Sequence, residues 1–129
     1  MPIFSAKSKK ILSECHEDLQ RLFNEVIKQY DCAVTWGYRG EADQNAAFAR
    51  GDSDLKFPHS RHNHNPSLAA DVVPYPSLYS DSKLCYEFGL KVLAIAKDLG
   101  IKIRWGGDWN GDGVHTKNEN DLAHFELKS

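Results

Sequence analysis

The sequence predicts a single α+β domain in which a small antiparallel sheet packs with two long helices. Two long segments carry apolar residues at three- and four-residue intervals, and short apolar runs bounded by Gly, Pro or Asp lie between and after them. The chain has 129 residues, of which 41% are hydrophobic and 26% charged, as is typical of one globular domain. No repeat, linker or low-complexity tail interrupts it, so we expect residues 1–129 to form one domain.

The first half of the chain is predicted to hold a long helix, a strand and a short helix. Apolar side chains recur at helical spacing over residues 8–30, which predicts one amphipathic helix. Asp31 ends it, and residues 32–36 form a short apolar strand. A Gly-containing turn then leads into a short helix over 41–50. Residues 54–67 are polar, rich in His and punctuated by Pro, so we expect a loop there.

The second half is predicted to hold the second long helix between strands. Residues 69–73 form an apolar strand that Pro residues stop, and 81–99 form an amphipathic helix closed by Gly100. A third strand covers 101–105, and a closing strand covers 123–127.

Composition excludes several classes of protein. The net charge is −2, so no basic excess indicates binding to nucleic acid or to an anionic membrane surface. No apolar run approaches the roughly 20 residues that span a bilayer, and the N-terminus has no signal-peptide pattern. We expect synthesis in a cytoplasm, no export signal and no stable membrane association. Three cysteines without a Cys-x-x-Cys pair predict buried, reduced thiols.

Histidine and aspartate residues at unusual positions indicate a metal site. Three histidines, His59, His62 and His64, cluster in the predicted polar loop. Asp71 and His124 each interrupt an apolar strand, where an uncompensated polar group is costly. Two histidines and one carboxylate from separate elements form the ligand set of a catalytic zinc, which keeps one coordination position open. An incidental polar loop is the alternative interpretation of the His cluster.

Peptide hydrolysis at such a metal also needs a general base and a charge stabiliser. Asp121 lies three residues before His124, within reach of the predicted site. Arg39 lies at the turn after the first strand and is a candidate to hold an oxyanion or a substrate carboxylate. For each of the two, an ordinary surface residue is the alternative.

Four short motifs follow one another along the chain: Gly37-Tyr38-Arg39, then Ser60-Arg61-His62 with Ala69-Ala70-Asp71, then Trp105-Gly106-Gly107-Asp108-Trp109, and last Asp121-Leu122-Ala123-His124-Phe125-Glu126-Leu127. Together they resemble the motifs of the zinc D-Ala-D-Ala peptidases and the phage L-alanyl-D-glutamate peptidases. The resemblance covers about residues 30–127. It implies the family's α+β fold and zinc ligation by His62, Asp71 and His124. It also implies that Asp121 is the general base and that Arg39 stabilises the transition state.

The same resemblance implies a substrate and a setting. The Asp-x-x-His form of the last motif is similar to that of phage endolysins, which favours the L-Ala–D-Glu bond of peptidoglycan. Ser60, Asp108 and Trp109 lie in the shared motifs and are expected to contact the substrate. We expect a monomeric, bacteriolytic enzyme with one catalytic domain and no separate wall-binding domain. Its route from the host cytoplasm to the periplasm and cell wall would need a holin-type helper.

One spacing departs from the family pattern. The usual interval from His to Asp is seven residues, whereas His62 precedes Asp71 by nine and His64 precedes it by seven. We favour His62 because it preserves Ser-x-His and because Asn65-Pro66 fits a loop insertion. His64 is retained as the alternative ligand.

A second motif indicates calcium. Residues 108–119 match the EF-hand loop Asp-x-Asn-x-Asp-Gly-x5-Glu at every defined position. Long flanking helices are not predicted here, so we expect an EF-hand-like loop grafted into the zinc-peptidase domain. A polar Asn/Asp/Gly loop that binds no ion is the alternative. The predicted calcium ligands are Asp108, Asn110, Asp112, Val114 and Glu119.

Other functions also fit parts of the pattern. One is a non-catalytic module of hedgehog-like type, since those domains resemble the peptidases and hold both zinc and calcium. Others are a D-Ala-D-Ala carboxypeptidase and a calcium-buffering protein. The presence of both Asp121 and Arg39 favours the endopeptidase over the non-catalytic module.

Overall fold

A computed structural model describes residues 2–113 and 120–128, and it confirms the predicted α+β fold class. In the described part, four helices pack with one four-stranded antiparallel sheet of strand order β1-β2-β4-β3. One turn of 3₁₀ helix, Arg61–Asn63, interrupts the loop before β2. The elements are α1 (Ala6–Leu12), α2 (Glu17–Gln29), β1 (Cys32–Trp36), α3 (Glu41–Arg50), β2 (Ala69–Pro74), α4 (Ser82–Leu99), β3 (Ile103–Gly106) and β4 (Asp121–Leu127).

The predicted single helix over 8–30 is wrong, because the structure has two helices, α1 and α2, in its place. Backbone pairing with a distant segment breaks it: His16 N donates to Ser67 O at 2.8 Å, and Ser67 N donates to Glu14 O at 2.9 Å. The His16 ring then accepts a hydrogen bond from Asp18 N at 3.1 Å and so caps α2. The apolar pattern is continuous across the break because both helices face the same core.

The remaining predicted elements are present with small shifts at their ends. The structure matches the predictions for β1 and α3, and α4 ends as predicted at Gly100, whose φ is 72°. The third strand, β3, begins two residues later than predicted. The closing strand, β4, begins at Asp121 and not at residue 123, which places Asp121 at the start of a strand.

The two faces of the sheet have different roles. Successive side chains of a strand point to opposite faces. On one face, Phe125 of β4 and Trp105 of β3 stack at 6.4 Å between ring centroids and join one buried cluster with Val26 of α2 and Val92 of α4. On the other face, Asp71 of β2 lies directly opposite His124 of β4 in the antiparallel register. The core therefore occupies the helix side, and the polar residues share the other side.

Close packing explains the two glycines that follow Trp105. A side chain on Gly106 would overlap with the backbone carbonyl of Asp121, and one on Gly107 would overlap with the Trp105 indole. Trp105 itself donates from Nε1 to Leu122 O at 2.8 Å. The Trp-Gly-Gly segment thus lies directly against the first residues of β4 and holds Asp121 in place.

The three cysteines are free and buried, in agreement with the predicted reduced thiols. Burial raises the pKa of Cys15 and of Cys32 to about 12. Cys15 lies between α1 and α2, at the break in the predicted long helix. In the part of the chain that the structure describes, no helix has the length and apolar character that crossing a membrane requires.

Candidate active site

Three side chains from separate elements converge on the polar face of the sheet. They are His62 from the 3₁₀ turn, Asp71 from β2 and His124 from β4, and one ligand atom of each lies within 4.8 Å of the others. His62 and His124 are buried, at 2% and 7% exposure, while Asp71 is partly buried. The sheet register alone brings Asp71 and His124 together, whereas His62 depends on how the preceding loop folds.

Local hydrogen bonds set the position of His62. Ser60 Oγ accepts from His62 N at 3.2 Å, and Asn63 Oδ1 accepts from Ser60 N at 2.9 Å, which forms a capping box. His62 O accepts from Arg39 N at 2.8 Å and so connects the turn to the segment after β1. Ser60, a predicted substrate contact, thus caps the turn that carries His62.

Each histidine uses one ring nitrogen for an outer partner and directs the other toward Asp71. His62 Nδ1 lies 2.8 Å from Gly37 O, and its Nε2 lies 3.2 Å from Asp71 Oδ1. His124 Nε2 lies 2.8 Å from Glu126 Oε1, and its Nδ1 lies 3.4 Å from Asp71 Oδ1. A carbonyl oxygen and a carboxylate only accept hydrogen bonds, so both outer nitrogens donate. This is the arrangement that metal-binding histidines usually have, and the donor set fits a divalent metal such as zinc.

The electrostatics keep Asp71 ionised. Burial alone would raise the pKa of Asp71, but His62 and His124 together outweigh burial and hold it well below its usual range. For His124, burial would lower the pKa, but hydrogen bonds with Asp71 and Glu126 outweigh burial and raise the pKa to about 10. Asp71 therefore presents a charged carboxylate, as a metal ligand must.

The structure separates the two candidate histidines. His62 joins Asp71 and His124, whereas His64 is exposed and lies outside this group. The 3₁₀ turn accounts for the departure in spacing, since it turns the chain between His62 and Asp71 and leaves His64 past its end. The assignment of His62 as a metal ligand stays a prediction, now with a geometric reason.

Arg39 lies beside the same carboxylate. Its Nη2 atom is 3.5 Å from Asp71 Oδ2, and its Nη1 donates to Gln44 Oε1 at 3.2 Å. The guanidinium lies 4.5 Å from the centre of the Trp36 ring, and the residue is 7% exposed. A positive charge is thus held rigidly next to the candidate metal ligands.

Asp121 and Trp109 border the same open cleft, whose volume is about 640 Å³. Although Asp121 is exposed, the surrounding protein desolvates its carboxyl and raises its pKa, and the negative charge of Asp71 adds to this effect. The Trp109 ring packs against His124 at 5.4 Å between centroids and forms part of the cleft wall. The cleft therefore brings together the predicted base, the predicted stabiliser and the three candidate ligands.

Asp108, a predicted substrate contact, does not line this cleft. Its Oδ2 atom accepts a hydrogen bond from Gly113 N at 3.0 Å, and its Oδ1 atom is buried without a hydrogen-bond partner among the described residues. Gly111 and Gly113 have φ angles of 69° and 79°, and Asn110 Nδ2 donates to Asp112 Oδ2 at 3.2 Å. The first half of the predicted calcium loop thus folds back onto the Asp108 carboxylate through the Gly113 amide. The other two predicted calcium ligands, Val114 and Glu119, lie outside the described residues.

Glu126 is a site residue that was not predicted from the sequence. Its Oε1 accepts from His124 Nε2 at 2.8 Å, and its Oε2 is 3.5 Å from Arg61 Nε. A signal was present in the sequence, because Glu126 follows His124 by two residues and must therefore lie on the same face of β4. Glu126 could therefore have been proposed from the sequence as a partner of His124.

Comparisons with known proteins agree with the motifs. A sequence profile of the phage L-alanyl-D-glutamate peptidases matches residues 2–128. The chain is 30% identical to an L-alanyl-D-glutamate peptidase of Escherichia phage T5, in an alignment that covers 96% of each protein. It is also similar to the crystal structure of an L-Ala–D-Glu endopeptidase of Serratia marcescens, with a TM-score of 0.76 and 27% identity over 98% of this chain and 90% of that one.

Proposed function

Since this chain belongs to the phage L-alanyl-D-glutamate peptidase family, we propose that it is a zinc endopeptidase that hydrolyses the L-Ala–D-Glu bond of peptidoglycan stem peptides. The observation that carries the proposal is the convergence of His62, Asp71 and His124 within 4.8 Å at an open cleft. Two buried imidazoles and one ionised carboxylate match the ligand preferences of a catalytic zinc. Bound there, the metal would supply a Lewis acid for a peptide carbonyl and for water.

The chain's own residues would move the proton. Asp121 lies on the approach to His124 and borders the cleft, where its carboxylate would accept a proton from the attacking water. A raised pKa makes it a better base than an ordinary aspartate, because base strength increases with pKa. The same group would then return the proton to the leaving amine.

Arg39 would stabilise the negative charge that develops on the scissile carbonyl oxygen. Its guanidinium is fixed by Trp36, Gln44 and Asp71, so little reorganisation is needed when charge appears. Ser60 and Trp109 border the same cleft and would contact the substrate peptide. We place all these roles in one catalytic domain, residues 1–129, acting as a monomer that reaches the cell wall with a holin-type helper.

Digestion of purified muropeptides, read by mass spectrometry, tests the proposed function. We expect products cut between L-Ala and D-Glu, with loss of activity on zinc chelation and its return on zinc addition. Release of D-Ala alone would instead indicate a D-Ala-D-Ala carboxypeptidase. Intact muropeptides with zinc bound would indicate a non-catalytic module of hedgehog-like type.

Glu126 is expected to position His124 without touching the substrate. Glu126→Ala should lower zinc affinity roughly 10- to 100-fold, because such outer partners orient the ligand and raise its basicity. Competition with a zinc-binding dye measures this effect. The matched control is Glu87→Ala on the exposed side of α4. Unchanged zinc affinity in Glu126→Ala would contradict the positioning role, and Glu126→Asp should recover part of the loss.

We also propose that residues 108–119 bind calcium and that calcium regulates the enzyme. The support is the buried Asp108 Oδ1, which has no hydrogen-bond partner among the described residues, and the positive φ of Gly113, the position at which an EF-hand has its sharp turn. The loop ends two residues before Asp121. Ordering of the loop by calcium would therefore restrain the catalytic base and shift the population toward an active arrangement.

Calcium is expected to raise both thermal stability and activity. A calcium-selective chelator should reduce lysis while zinc stays bound, and added calcium should restore it, because the ion stabilises the state that binds it. Asp108→Asn and Glu119→Gln should each need more calcium, since each removes one ligand charge. Isothermal calorimetry and activity titrations measure these effects, with Asp98→Asn of α4 as the control. Absence of calcium binding at millimolar concentration would contradict the switch and leave the zinc mechanism intact.

A further inference from the structure

We propose that Arg104 binds the free carboxylate of the D-glutamyl residue and so makes the enzyme selective for an acidic residue after the scissile bond. This inference rests on the proposed function. It names a specificity residue that none of the four motifs assigned.

The sheet register places Arg104 on the cleft side. Arg104 of β3 lies directly opposite Glu126 of β4, and Glu126 follows His124 by two residues on the same face. Arg104 therefore lies about 7 Å along the strands from His124, the span of two residues, and one strand spacing of about 4.8 Å to the side. Its neighbours Ile103 and Trp105 are buried in the core, whereas Arg104 is exposed and borders the cleft.

The charges around Arg104 leave its guanidinium available. Three arginines border the cleft: Arg39 is 3.5 Å from Asp71, and Arg61 is 3.5 Å from Glu126. Within residues 2–113 and 120–128, Arg104 has no carboxylate within 4.0 Å. Glu126 already accepts a hydrogen bond from His124 and lies 3.5 Å from Arg61, so the positive charge of Arg104 acts on it only from beyond ion-pair distance. Arg104 thus offers a planar set of donors to a molecule that enters the cleft.

The chemistry of the substrate provides the matching group. A glutamyl residue has two carboxyl groups besides its amine, and only one of them continues the peptide. The other stays free and ionised, whichever linkage the stem peptide uses. It lies about one residue length, roughly 3.5 Å, from the scissile bond, and a long arginine side chain can span the rest of the distance. Arginine binds carboxylates through paired hydrogen bonds, which confers both affinity and orientation.

Negatively charged residues on another part of the cleft wall support this placement of the substrate carboxylate at Arg104. The loop after α3 contributes Asp52 and Asp54 to the lining, and these would repel a substrate carboxylate. Asp52 is paired with Arg50 at 3.0 Å, so most of this repulsion comes from Asp54. The part of the cleft wall at Arg104 is therefore the favourable location for the glutamyl carboxylate.

Two peptides that differ in one group test the inference. One carries the free D-glutamyl carboxylate, and the other carries a primary amide in its place. The wild-type enzyme should cleave the acid with a kcat/KM roughly 10- to 100-fold above that of the amide, as expected for hydrogen bonds to a charged group. In Arg104→Ala this ratio should fall toward one, and Arg104→Lys should retain part of it. Arg21→Ala, on the exposed side of α2, is the matched control and should keep the wild-type ratio.

The outcomes separate this inference from the proposed function. A wild-type enzyme that cleaves both peptides equally would overturn the role of Arg104 and leave the endopeptidase standing. An Arg104→Ala variant that loses activity but keeps the wild-type ratio of kcat/KM for the acid and amide peptides would also overturn it. Arg104 would then only balance the charge of Glu126. Failure of the wild-type enzyme to cleave either peptide would overturn the proposed function and this inference with it.

Discussion

Replacement of His124 or Asp71 with alanine is expected to remove bound zinc and to lower peptide hydrolysis by roughly 10³-fold or more. Each variant deletes one of only three candidate protein ligands. Loss of the several kcal/mol that a catalytic metal contributes corresponds to at least this change in rate. Metal content by mass spectrometry and kcat/KM on a stem peptide measure the two effects separately.

The third ligand provides a matched pair of variants. His62→Ala should lose zinc and activity, whereas His64→Ala should keep most of both, because His64 is exposed and away from Asp71. The pair differs only in which histidine of one short loop is removed. Loss of zinc in His64→Ala, with zinc retained in His62→Ala, would move the ligand to the alternative residue. Full zinc content in His124→Ala and Asp71→Ala would contradict the site itself.

Folding needs its own control in these variants. Asp71 lies between His62, His124 and Arg39, so its removal leaves these three groups without the carboxylate that all of them contact. Asp71→Ala is therefore expected to be less stable than the wild type, and Asp71→Asn keeps the shape while removing the charge. Thermal unfolding followed by circular dichroism shows whether a loss of activity comes from the metal or from the fold.

Asp121→Asn is expected to keep zinc and to lose roughly 10²- to 10⁴-fold in kcat, the usual contribution of a general base. The amide has the same shape as the carboxyl group but does not accept a proton from water. Because Asp121 is at the start of β4 and outside the group of three candidate ligands, its replacement should leave the metal in place. Steady-state kinetics together with metal content measure both expectations.

Asp98→Asn, on the exposed surface of α4, is the matched control for Asp121→Asn and should behave like the wild type. Normal hydrolysis by Asp121→Asn would show that the general base is elsewhere, with Glu119 the next candidate. Loss of zinc in this variant would instead make Asp121 part of the metal site and would contradict the division of roles.

The limits of helices and strands could be predicted from the sequence wherever interactions between nearby residues determine them. The helix α4 has an Asp81 cap at its start and Gly100 at its end, so its limits could be predicted within one residue. The division of the long helix over 8–30 could not be predicted. Its break depends on hydrogen bonds with Ser67, more than 50 positions away, and no local signal reports such a partner.

Residue identity also gave most of the candidate site. An aspartate and a histidine inside apolar strands are costly unless they meet a partner, and this cost singles out Asp71 and His124 in the sequence alone. The Ser-x-His pattern favoured His62 for a reason visible in the structure, where Ser60 caps the turn that holds it. These features can be recognised in the sequence alone, because each depends on a residue type and its nearest neighbours along the chain.

Only the tertiary structure decided which of the two histidines joins the site and which roles Glu126 and Arg104 have. The choice of His62 over His64 required the 3₁₀ turn, and the role of Glu126 required the direction of the His124 ring. The inference about Arg104 required strand order, because β3 and β4 become neighbours only in the assembled sheet. Thus the sequence by itself determined the fold class, the family and the residue types of the site. The folded chain alone determines the orientation of the His124 ring, the contacts that Asp71 shares and the availability of the Arg104 guanidinium. The reason is that each depends on contacts between segments that are distant in sequence.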